Sequence, residues 1–225
     1  MIRPALFLLA AVLPAFAQPP SRGTERIEIT LERLEGSEWR TVDPGLVLDS
    51  GDRVRFRFRS NFDGFLYAMN YGTSGSYTLL FPREETGREN NVKAGRQYIV
   101  PATDTAFRIA GKPGHDIVYW MVSPVALGDT KAYVPLPPPP KPTPAPPNLM
   151  PRCDDSIFRA RGLCIDSSAG PRTIKSPDSL PENLAGVPGA TSRELIIMRQ
   201  QNQSLLSATA PLNGPVIYEF RLAHR

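Results

Sequence analysis

Four arginines alternate with apolar residues in Arg53 to Arg59 (RVRFRFR). On an extended strand alternate side chains share a face, so Arg53, Arg55, Arg57 and Arg59 form one row, spaced about 6.6 Å apart at a rise of about 3.3 Å per residue. Guanidinium groups so arrayed suit phosphates, acidic sugars or an anionic surface, through bidentate hydrogen bonds. The same row has a plainer use. Glu28 and Glu32 alternate in a neighbouring candidate strand, and cross-strand pairs of this kind are worth about 0.2–1 kcal/mol each. The pattern weighs toward a solvated, partly paired sheet face, with an anion site as the alternative.

Cys153 and Cys164 flank CDDSIFRARGLC. In an oxidising compartment two cysteines pair, and closing such a loop stabilises a fold by about 3 kcal/mol. A thiol catalyst would need a base and a low-pKa setting, neither of which is legible nearby. Asp154, Asp155 and Asp166 resemble a carboxylate cation site but lack the alternating oxygen ligands and twelfth-position Glu of a calcium loop. His115 lies in GKPGHDI, read as a loop before a strand. Neighbours on a strand point to opposite faces, which makes His115 and Asp116 a poor base and orienter. The other histidine, His224, is penultimate. No GxSxG, HExxH or phosphate-cradling glycine loop occurs, so neither catalysis nor a cofactor nor a metal is expected. Tyr67, Tyr71, Tyr77, Tyr119 and Trp120 could stack on sugars if exposed, although aromatic residues in alternating strands more often pack.

The elements that carry these residues follow from composition and punctuation. Of 225 residues 41% are hydrophobic and 21% charged, enough to build a core in one or two domains. Two Cys and two His far apart exclude a zinc ribbon or an iron–sulfur centre. Residues 1–17 (MIRPALFLLAAVLPAFA) have the layout of a secretory signal peptide: basic Arg3, an apolar stretch from Ala5 to Leu13, then small Ala15 and Ala17. Cleavage after Ala17 is expected, leaving no transmembrane segment and an exported chain, periplasmic or extracellular. Without Arg3 the chain has 25 basic and 22 acidic side chains, too small an excess to support nucleic-acid binding.

Between 135 and 151 ten of 17 residues are proline (PLPPPPKPTPAPPNLMP), which favours an extended spacer of roughly 50 Å. It separates a block at 21–134 from a disulfide-containing extension at 152–225. In the first block, period-two patterning predicts strands at Glu25 to Leu31, Arg53 to Arg59, Gly64 to Tyr71, Ser76 to Phe81, Gln97 to Val100, Ala106 to Ile109 and Ile117 to Ser123. Turn residues punctuate them at Asp43-Pro44-Gly45, Ser50-Gly51-Asp52, Asp63-Gly64, Lys93-Ala94-Gly95 and Pro113-Gly114. Such spacing predicts a mainly β, immunoglobulin-like antiparallel β-sandwich.

Residues about 25–125 also resemble the bacterial domain-of-unknown-function 4384 family. The resemblance is carried by Pro44 and Gly45, by Ser50, Gly51 and Asp52, by Asp63, Gly64, Phe65, Leu66 and Tyr67, by Leu80, Phe81 and Pro82, and by Ala94 and Gly95. It implies an accessory β-domain of envelope or secreted proteins and transfers no catalytic residue.

In the extension, Glu194 to Met198, Ser204 to Ala208 and Val216 to Leu222 read as strands. Three short strands cannot bury a core alone, and they are expected to pack back onto the first block. The functional expectation is a non-enzymatic interaction or structural module whose partner is another envelope protein or an anionic surface. Two alternatives stand beside it: binding of an anionic ligand or glycan through the arginine row, and a hydrolase using His115.

Overall fold

The computed structural model describes residues 25–75, 77–124, 126–127, 150–174, 195–200, 202–208 and 215–225. The signal peptide expected at 1–17 and the proline-rich run from 135 to 149 lie outside the described residues.

The architecture is mainly β, two antiparallel sheets packed face to face. Alternation in the sequence sets which side of each strand is inside. In β1 (Arg26–Glu35), Ile27, Ile29 and Leu31 are buried, and in β3 (Arg53–Ser60) Val54, Phe56 and Phe58 are buried. These strands pair with Ile29 opposite Phe58 and Leu31 opposite Phe56, so their apolar faces fuse into one. The first sheet adds β2 (Glu38–Thr41) as a hairpin partner of β1 across Gly36, whose φ of 64° suits a two-residue turn. Both β7 (Gln97–Val100) and the short β8 (Phe107–Arg108) pair with β3.

The second sheet is built on β4 (Gly64–Tyr71) and β9 (Gly114–Ser123), with β5 (Tyr77–Phe81) and β6 (Asn91–Val92) on the far side of β4. Gly64 has no room for a side chain. A Cβ there would lie 2.8 Å from the Ser123 carbonyl oxygen, so the glycine permits close approach of β4 to β9.

The extension completes both sheets. A short helix, α1 (Ser156–Ala160), and β10 (Gly170–Arg172) precede β11 (Leu195–Gln200), β12 (Gln203–Ala208) and β13 (Val216–His224). The first sheet runs β11-β12-β1-β3-β7 and the second β10-β13-β9-β4-β5. The packing expected of the terminal strands is therefore observed, and it is extensive. β13 is in register with β9 from Val216 opposite Val122 to His224 opposite Gly114. That ladder corrects one expectation: β9 starts at Gly114, three residues before the predicted Ile117, and His115 lies in the strand instead of a loop.

The core sits where β3 faces β9 and β13. Phe56 meets Trp120 edge-on at 4.9 Å and Phe220 at 5.1 Å between ring centroids, while Trp120 stacks on Phe58 and Tyr218. Such pairs add about 0.5–1.5 kcal/mol each beyond area burial. Two of these rings come from the C-terminal strand, so the extension is part of the core.

Candidate functional site

The arginine row occupies the outer face of β3, and the structure places carboxylates against most of it. Glu28 stands opposite Arg59 and Glu32 opposite Arg55. Glu32 is buried on this outer face: its Oε2 accepts from Arg55 Nε at 2.7 Å, and its Oε1 accepts from Arg57 Nη2. Trp39 and Thr41 of β2 close the site, with the Arg55 guanidinium 4.3 Å from the Trp39 ring centroid and Arg57 reaching Thr41 Oγ1. Desolvation lowers the pKa of Arg55 from its ordinary value. Arg59 donates two hydrogen bonds to Glu28, at 3.0 and 2.9 Å. Arg53 faces Arg108 of β8, and among the described residues neither has an acidic partner.

Cys153 and Cys164 form a disulfide with 4.7 Å between their Cα atoms. The three nearby aspartates serve different donors. Asp155 caps α1 by accepting from the Ile157 and Phe158 amides, and Asp154 accepts from Ser167. Burial alone would raise the pKa of Asp166, but hydrogen bonds from the Ser168 hydroxyl, Arg152 N–H and Ser168 N–H, with His115 alongside, hold it below the ordinary carboxylate value. The disulfide segment is stitched to the turn at 43–47: Asp166 N–H donates to Gly45 O and Val47 N–H to Cys164 O.

His115 and Asp116 point to opposite faces of β9. His115 Nε2 lies 3.3 Å from Asp166 Oδ2 and 3.4 Å from Ser168 Oγ, while Asp116 accepts from Thr73 N–H at 2.8 Å and sits 3.4 Å from His224. The Ser168–Asp166–His115 grouping escaped sequence reading because about fifty residues of chain separate its parts, and β13 beside β9 brings them together. It is not a nucleophile relay. In such a relay serine and carboxylate engage opposite ring nitrogens; here both face Nε2, and the Ser168 hydroxyl donates to Asp166 at 2.6 Å.

The aromatic residues divide. Trp120 is in the core, whereas Tyr67, Tyr71, Tyr77 and Tyr119 gather on the outer face of the second sheet with Met69, Met121 and Ile217, under Leu127 and Ile174. Tyr67 Oη accepts from Leu127 N–H at 2.8 Å. Burial, and then the nearby Glu219, pushes the Tyr119 phenol well up. These tyrosines form a packed cluster.

Residues 47–126 match the family model described as domain of unknown function (DUF4384). The match bears out the resemblance read from the sequence and runs from just before β3 to just after β9. Neither a curated protein nor a solved structure matches the chain. The DUF4384 segment holds the arginine row and His115, but the partners of both come from outside it: Glu28 and Glu32 from β1, and Asp166 and Ser168 from the extension. Pro44 and Gly45 also lie before the matched residues.

At the edge of the first sheet, β11 pairs with β12 on one side and with no other strand among the described residues. On its outer face Ile196 is 52% and Met198 42% exposed, beside Leu205 of β12. Among the described residues no helix is long and apolar enough to cross a membrane.

Proposed function

We propose that this is an exported, non-catalytic β-sandwich module of the bacterial envelope that acts by contact with another envelope protein, taking an extended segment of that partner along β11. The carrying observation is the edge strand itself, with two large aliphatic side chains exposed on one face. Sheet edges offer unpaired backbone groups for strand addition, and alternate side chains supply specificity. Natural edges are usually blunted with charge or proline; the stretch Leu195 to Met198 carries neither. The alternatives have less support. Three of the four arginines in the row already have carboxylate partners, and His115 lacks relay geometry.

A photo-crosslinking residue at position 196, compared with one at the exposed Glu89, tests this reading in cells. The expected result is a discrete 1:1 adduct from position 196, mapped by mass spectrometry to one extended segment of one envelope protein. With the crosslinker kept at 196, Met198→Lys should lose most of that adduct while its unfolding midpoint stays within about 0.5 kcal/mol equivalent. Adducts equal to those at position 89, or an adduct of two copies of this chain, would contradict the reading.

A further inference from the structure

Among the described residues, β10 and β11 are the end strands of the two sheets on the same side of the sandwich. A cleft of about 450 Å³ lies there, lined by Arg172, Arg221, Glu219, Ile174, Ile197 and Pro171. The register of β10 on β13 puts Arg172 opposite Glu219 and Gly170 opposite Arg221, which places both arginines and the carboxylate on one face of adjacent strands. A third guanidinium, Arg199 of β11, crosses to donate to the Ala169 carbonyl.

Among the described residues, charge at this site is unbalanced. Arg221 holds Glu219 through Nε and Nη2, both on Oε1, at 2.8 and 2.7 Å. Arg172 donates Nε to Ser168 O at 2.7 Å and Nη2 to Ser167 O at 3.2 Å. Carbonyl oxygens fix the orientation of a guanidinium without neutralising it. Among the described residues, Nη1 of Arg172 and Nη1 of Arg221 have no acceptor. Among the described residues Glu219 is the one carboxylate lining the cleft, and the next acid near Arg172, Asp166, is taken up by the Arg152 amide, Ser168 and His115. Burial first, then the charge of Arg221, lowers the pKa of Arg172, with Glu219 opposing and Arg199 adding to the shift. A cation held against like charges favours an anion beside it.

We propose that this cleft binds a small ligand bearing an oxyanion, a carboxylate or phosphate ester, with Arg172 and Arg221 holding the anion and Ile174 and Ile197 packing against its apolar body. Glu219 is the resident counter-ion, which the ligand displaces from Arg221. The volume suits a small molecule, in the range of about 300–1,000 Å³ usual for ligand sites. This site is distinct from the arginine row of β3 and from the edge contact on the outer face of β11.

Titration calorimetry of the full chain, disulfide oxidised, with phenyl phosphate, benzoate and neutral benzyl alcohol tests it. Saturable 1:1 binding of at least one anion is expected, with none of the alcohol. The tighter anion shows whether phosphate or carboxylate is the preferred headgroup. Arg172→Gln should weaken binding about tenfold or more, the scale of one charge-assisted hydrogen bond. Glu219→Gln should tighten it severalfold by freeing Arg221, a gain that a purely structural role would not produce. Arg59→Gln, on the other sheet, should leave it unchanged. No saturable binding of either anion, an unchanged affinity in Arg172→Gln, or weaker binding in folded Glu219→Gln would overturn the proposal.

Discussion

Glu28 and Glu32 face the same row of arginines in different surroundings. Glu32 has a side chain 3% exposed, between Arg55 and Arg57, whereas Glu28 and Arg59 are 30% and 50% exposed. Removing one member of a buried pair costs about 3–5 kcal/mol when the other charge is stranded. Arg55 and Arg57 keep some access to water, which reduces that figure. Glu32→Gln is therefore expected to lower stability by about 1–2 kcal/mol, and Glu28→Gln by no more than about 0.5 kcal/mol, in urea titrations. Equal losses would mean the outer face is uniformly solvated. The arginine row and its two glutamate partners were readable from alternation, but the burial of Glu32 was not. It depends on Trp39 and Thr41, in a four-residue strand (EWRT) whose polar sequence carries no apolar period.

At the scale of elements, strands with an apolar face were legible because a period of two over five or more residues is a strong signal. The elements that escaped, β2, β6, β10 and α1, are short and owe their form to a partner: a hairpin turn, a neighbouring strand, or the Asp155 cap. Gly45 shows how a motif can be read correctly as a turn for an incomplete reason. A Cβ at Gly45 would lie 2.8 Å from the Asp166 carbonyl oxygen and 3.1 Å from Ile165 Cγ2, so the glycine is required by the disulfide segment packed against the turn. Gly45→Ala should force that segment away and cost about 1–3 kcal/mol, the usual range for overpacking. A thermal unfolding midpoint indistinguishable from that of the unmodified protein would show that the turn and the segment move apart freely.

For the whole molecule, the proline run divides the sequence without dividing the fold. The DUF4384 segment supplies β3 to β9, yet one neighbour of β3 is β1 and one neighbour of β9 is β13, so its central strands gain neighbours from both flanks. Tyr218 and Phe220 lie against Trp120 and Phe56, and Leu206 of β12 packs with Ile27 and Ile29 in the same core. The C-terminal Arg225 N–H donates to Leu48 O and Leu48 N–H donates to Ala223 O, tying the end of β13 to the turn before β3. A covalent connection between the blocks is thus not what holds them together, and the disulfide, within 153–164, does not link them. A specific protease site placed between Thr143 and Ala145 separates the two. After cutting, the fragments should co-elute as one species in native gel filtration, unfold in a single cooperative transition, and part only in denaturant. The midpoint should become dependent on protein concentration, because dissociation now accompanies unfolding. Fragments that separate without denaturant would mean that the β13–β9 and β12–β1 ladders are weaker than the linker that tethers them.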